Sequence, residues 1–180
     1  MKHTDRINTK KLTLCALFAA ISLTLYIIES MIPPVVPIPG VKIGLAYIPI
    51  IFLIFIGGEW KIRDAAAVLT VRVFLSALIA GNLVALCFSS VGGLFALITM
   101  AVMRTVIKEA WAAIPTGIFS AVMHNVGQLT AASFIYTGSV WAYLPYLLIS
   151  AVISGLFTGL LIYFLVKKPS KLVNRIKYIR

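Results

Sequence analysis

The chain has 180 residues, 61% of them hydrophobic and only 12% charged, with a mean hydropathy of +1.04. A soluble domain is about half apolar and a quarter charged, so composition excludes an ordinary water-soluble globule and points to one integral membrane domain over 1–180. Sixteen basic and five acidic residues give a net charge of +11, and because the cations flank apolar segments they read as the positive-inside bias of a membrane protein, not as a nucleic-acid surface.

The basic N-terminus (MKHTDRINTKK) runs into an apolar stretch without a clear A-x-A cleavage pattern, so a retained first span is expected rather than a signal peptide. Crossing the hydrocarbon takes about 20 apolar residues. Six segments qualify: 12–28, 45–57, 64–80, 82–103, 112–134 and 143–166. The second is short and contains Pro49; it crosses only with help from loop residues or a thinner bilayer, or else is re-entrant. Cys15 and Cys87 sit singly inside apolar segments, with neither CxxC spacing nor a histidine nearby, so no disulfide framework or zinc site is expected.

Charge supports six spans. The N-terminus, the turns after spans two and four, and the tail 167–180 together hold fourteen of the sixteen cations. Six crossings put all of these on one face, leaving Lys42 alone opposite and Arg72 within a span. That face is expected to be cytoplasmic. The predicted fold is therefore an all-α bundle of six transmembrane helices with both termini cytoplasmic. The tail after Pro169 interleaves Leu172, Val173, Ile176 and Tyr178 with cations, consistent with an amphipathic helix on anionic lipid or with a frayed solvated end.

Four places carry chemistry. The outer stretch ESMIPPVVPIPGVKIG, residues 29–44, has four prolines in seven residues, which forbid helix and favour polyproline II. It is either a rigid connector or a cap on a cavity mouth, and Lys42, the lone outer cation, favours the cap. Arg72 lies nine residues beyond Arg63, about 13 Å along a helix. A charge near mid-bilayer costs several kcal/mol and should face the bundle with a partner; Ser76 shares its face. In the fifth span, AVMHNVGQL (121–129) puts three amide or imidazole side chains into a run without charge. At about 100° per residue, Ser120, His124 and Gln128 form one stripe with Asn125 at its edge. Such a stripe faces protein or a cavity, either as interhelical hydrogen bonding or as a solute wall. Ala16 and Ala20 form an AxxxA that permits close helix approach, and Gly92-Gly93 are expected to break span four.

Several chemistries lack their residues. There is no P-loop, and with only Asp5 and Asp64 in the chain no Asp-rich metal–diphosphate site forms. GxSxG, HExxH and paired intramembrane carboxylates are absent as well. No cofactor or metal is expected, and the chain is not expected to be an enzyme.

Glu29-Ser with the proline stretch, the block PGVKIGLA (39–46), Arg72, Gly92-Gly93 and HNVGQ (124–128) together resemble the bacterial Gx transporter family, also labelled heptaprenyl diphosphate synthase component I, from about residue 11 to 166. That family is similar to the substrate-capture (S) components of energy-coupling factor (ECF) transporters. The resemblance implies a multi-pass subunit of the bacterial cytoplasmic membrane. It would capture a vitamin-like solute from outside under the loop after helix one, and pair with a transmembrane scaffold and two ATPases through an AxxxA face such as Ala16 and Ala20. It also implies a substrate site drawn from Glu29, Lys42, Tyr47, Arg72, His124, Asn125 and Gln128. Tyr47 stands where the family pattern leads one to expect Asn, which would alter specificity if that position binds substrate. Two functions follow: solute capture for uptake, with Lys42 and Arg72 favouring an anionic group under a lid at 32–43, or a non-catalytic membrane component of isoprenoid or quinone biosynthesis.

Overall fold

The computed structural model describes residues 9–31, 44–58, 60–81, 83–136 and 139–178. Among these there are seven α-helices and no strand. They are α1 (Thr9–Met31), α2 (Ile48–Ile56, entered through a 3-10 turn at Leu45–Tyr47), α3 (Ile62–Ala80), α4 (Leu83–Val106), α5 (Ala113–Ile135), α6 (Leu144–Lys167) and α7 (Lys171–Lys177). Each apolar segment of the sequence carries one of the first six. The helices Thr9–Met31 and Leu83–Val106 and the helical stretch Val140–Lys167 are long and apolar enough to cross a membrane. Leu17 and Ile21, Leu94 and Ile98, and Ile149 and Ile153 are exposed on them. Large apolar side chains turned outward on every long helix mean that lipid is the outer solvent: the chain is a membrane-embedded helical protein.

The short second helix organises the bundle. Every residue from Pro49 to Ile56 is buried, as expected of a helix that is apolar all round, and it touches α1, α3, α4, α5 and α6. Nine residues span about 13 Å at the helical rise, less than half of the roughly 30 Å hydrocarbon thickness. Its entry turn sits at mid-height: the Ser22 hydroxyl, halfway along α1, donates to the Ala46 carbonyl at 2.5 Å. Just past its far end lies Trp60, whose ring meets Phe18 edge-on at 5.9 Å. So α2 is a central post shorter than its neighbours, and a hollow remains at each end.

Around this post, α4, α5 and α6 pack through glycines. A Cβ on Gly117 would lie 2.3 Å from the Gly155 carbonyl oxygen and 2.9 Å from Gly159 Cα, so the two backbones touch as in small-xxx-small pairs. Gly92-Gly93 do not break α4, which runs unbroken from Leu83 to Val106. Both glycines are buried, and a Cβ on Gly92 would come 2.8 Å from His124 Nδ1 and from Gln128 Cγ. They are packing positions, because i→i−4 bonding tolerates glycine where a neighbouring helix supports it. Ala16 and Ala20 lie exposed on α1.

The opposite end is held by polar contacts. Asp64 accepts from the Lys61 backbone N–H at 2.7 Å and pairs with Lys11 at 2.6 Å, a carboxylate in a helix's first turn. The tail is helical. Ser170 caps α7 by accepting from the Val173 N–H at 3.3 Å, the Trp60 indole N–H donates to the Ile176 carbonyl at 2.9 Å, and Val173 and Ile176 pack on the core.

Candidate functional site

The hollow above α2 is a cavity of about 210 Å3, walled by side chains from α1 to α6. Arg72 enters from α3. The buried face of that helix is Ala65, Val68, Leu69, Arg72, Val73 and Ser76, a 3.6-residue period that carries the arginine inward with the apolar residues. Its guanidinium carbon lies 5.1 Å from the Tyr26 ring centroid and 5.2 Å from that of Tyr47, a cation held between two aromatic rings. The residue is only 4% exposed, yet its Nε has no hydrogen-bond partner. No carboxylate lies within ion-pair distance of it among the described residues. Two cation–π contacts, about 2 kcal/mol each when desolvated, offset part of the several kcal/mol that a buried charge costs.

The other walls are set by the entry to α2 and by α5. Gly44 adopts φ +82°, a left-handed conformation that favours glycine, and its N–H donates to Glu29 Oε1 at 2.7 Å. Glu29 is buried at the end of α1. Three residues on, the Tyr47 hydroxyl and His124 Nδ1 share a 2.7 Å hydrogen bond. The two rings stand edge-to-face at 4.9 Å; the tautomer of the imidazole sets the direction of the bond. Ser120 and Gln128 line the cavity with His124, so the stripe on α5 does face it.

Asn125 also lines the cavity, but its amide nitrogen donates to the Leu147 carbonyl of α6 at 2.9 Å. Half of this side chain is therefore spent on helix packing, which narrows its predicted role as a reader of solute edges. Ser76 is buried beside Arg72 but donates to the Val73 carbonyl at 2.9 Å and stays out of the cavity lining. Lys42 and the lid at 32–43 lie outside the described residues.

Four polar lining groups were not picked out from the sequence: Tyr26, Ser89, Ser154 and Thr158. Tyr26 stands one turn before Glu29, and Ser154 and Thr158 are spaced four apart on α6, so helical spacing was the signal available. Both hydroxyls donate to carbonyls three residues back, Ala151 and Gly155, which lets them sit in an apolar run. Among the described residues no group of three His, Cys, Asp or Glu side chains gathers to hold a metal. The arrangement is thus a mostly apolar cavity with one buried cation whose Nε has no partner, one buried carboxylate and a tyrosine–histidine pair, suited to holding a small polar molecule by charge and hydrogen bonds.

No curated protein and no solved structure matches the chain. A family model described as heptaprenyl diphosphate synthase component I matches residues 18–165, a stretch that takes in every lining residue named above, and the chain belongs to that family.

Proposed function

We propose that the chain is the solute-binding subunit of a small-molecule uptake transporter, arranged like the S component of an energy-coupling factor system. In this reading the chain passes through a bacterial cytoplasmic membrane six times, α2 being a half-length second pass, with both termini in the cytoplasm, and a small anionic solute enters from outside. The observation that carries it is the Nε of Arg72: a buried donor on a cationic side chain, without a partner, at the wall of a cavity. A buried donor on a charged group is costly to leave without a partner, and a site of this kind rejects molecules that leave its polar groups unsatisfied. Glu29, His124, Gln128 and the free side of Asn125 read the rest of the solute, and Tyr47 fixes His124. At about 210 Å3 the space is smaller than the roughly 300–1,000 Å3 of sites for drug-sized ligands, which fits a metabolite. The chain carries out no chemistry; a transmembrane scaffold and ATPase subunits drive release, docking on the exposed face of Ala16 and Ala20.

The test is ligand identification. Protein purified in mild detergent and denatured into a mass spectrometer should release a small anionic compound, and Arg72→Ala should come out empty. If Arg72→Ala and His124→Ala both retain that compound and support uptake, this site assignment is wrong.

The family description supports a second reading, a non-catalytic membrane component of heptaprenyl diphosphate or quinone biosynthesis. It predicts that a soluble prenyl synthase, and not an ATPase complex, co-purifies with the chain.

A further inference from the structure

The geometry points to a second binding site, for a phosphate-bearing anion, in the hollow beneath α2 at the opposite end from the Arg72 cavity. Because α2 stops at Ile56, a cavity of about 320 Å3 remains between its C-terminus, the ends of α4 and α6, and α7. Arg104, Lys108 and Lys177 all line it, and among the described residues none of those lining it is acidic. The guanidinium of Arg104 is held in place: it donates to the Lys108 carbonyl and its carbon lies 5.4 Å from the Phe55 ring centroid.

Magnitude decides whether this is only a helix cap. The C-terminus of α2 presents about half a negative charge, which one cation more than balances. Three cations leave a surplus of more than two positive charges around a single hollow. A phosphate group answers that surplus best, since it carries one to two charges and offers oxygens to an Arg fork and two ammonium groups together. Among the described residues the chain's own carboxylates do not fill the role: Asp64 is taken by Lys11, Glu109 accepts from the Trp111 indole, and Glu29 lines the other cavity.

The hollow sits where α6 ends at Lys167 and Pro169 follows, beside the apolar Val166 and Val173. Basic pockets between helices at a membrane face are suited to lipid head groups, and a soluble phosphate meets the same three cations. The site rests on none of the residues of the proposed solute cavity, so it stands or falls separately.

Two double variants remove equal charge, Lys108→Gln with Lys177→Gln inside the hollow and Lys171→Gln with Arg175→Gln on the exposed face of α7. The full chain in detergent would be offered phosphatidylglycerol or phosphatidylcholine and examined by native mass spectrometry. In parallel, its thermal transition would be followed with inorganic phosphate or pyrophosphate against chloride at matched ionic strength. A lipid ligand is supported if phosphatidylglycerol alone is retained, and retained at least fivefold less by the pocket variant than by the α7 variant. A soluble ligand is supported if phosphate or pyrophosphate raises the transition of wild type and the α7 variant but not of the pocket variant. Equal behaviour of the two variants in both arms overturns the site. Should the pocket pair fail to fold, Lys108→Gln alone, at an exposed position, is judged by the same criteria.

Discussion

The hydroxyl of Tyr47 meets Nδ1 of His124 at 2.7 Å, joining the entry turn of the central post to the middle of α5 across 77 residues of sequence. The bond fixes the imidazole at the cavity wall while the Tyr47 ring also lies against Arg72. Tyr47→Phe keeps the ring and removes only the hydroxyl. A net hydrogen bond is worth about 1 kcal/mol, so stability should fall by that amount and solute affinity by about fivefold. A double-mutant cycle with His124→Ala, read from thermal or denaturant unfolding, should show coupling of similar size. Strict additivity of the two substitutions would mean that the pair is not energetically linked.

Arg72 and stability should move in opposite senses. A buried charge without an ion partner carries an uncompensated desolvation cost that an apolar residue of similar length removes, so Arg72→Met in the absence of added solute should unfold no earlier than wild type. The same change should lower solute affinity by about tenfold to a hundredfold, the worth of a charged hydrogen bond. Arg72→Lys should recover little, because an ammonium lacks the planar fork that lies between Tyr26 and Tyr47. An early thermal transition for Arg72→Met would show that the charge is satisfied in the unliganded protein.

These two residues mark what the sequence made legible. Arg72 and His124 stand out as polar groups in apolar runs, and helical rise and periodicity place them inward and near mid-height. The structure puts them with Glu29, Tyr47, Asn125 and Gln128 around one cavity. Ser154 and Thr158 stayed hidden because each hydroxyl is satisfied by its own helix and leaves little mark on an apolar pattern. The role of α2 was hidden for a different reason: an all-apolar nine-residue helix looks the same whether lipid or protein surrounds it, and only five neighbouring helices decide. Asn125 read as a solute contact because its acceptor, the Leu147 carbonyl, is a backbone atom of another helix.

The close approach of α5 and α6 was equally invisible, since a glycine shows its purpose only once the facing helix is known. Gly117→Leu would drive a side chain into the Gly155 carbonyl, already 2.3 Å from an added Cβ. Backbone cannot rotate aside as a side chain can, so the cost should be on the order of 3 kcal/mol. Size-exclusion chromatography in detergent should find little monodisperse protein. Leu at Ala16 and Ala20, both exposed, should leave the profile unchanged while reducing capture of the proposed scaffold subunit. A normal profile for Gly117→Leu would contradict the contact.

Trp60 has two separable roles, and a conservative change divides them. Its ring packs edge-on against Phe18 in the core, and its indole N–H donates to the Ile176 carbonyl of α7. Trp60→Phe retains an aromatic ring and drops the donor. Losing one hydrogen bond of about 1 kcal/mol should make opening of α7 roughly fivefold more frequent. The bundle's thermal transition should barely move, because a docked terminal helix is among the least stable parts of a fold. Trypsin reads this directly, since Lys171, Arg175 and Lys177 all lie on α7: cleavage there should speed up about fivefold under conditions where opening is in rapid equilibrium. Unchanged cleavage together with an early global transition would show instead that α7 and the core unfold as one unit.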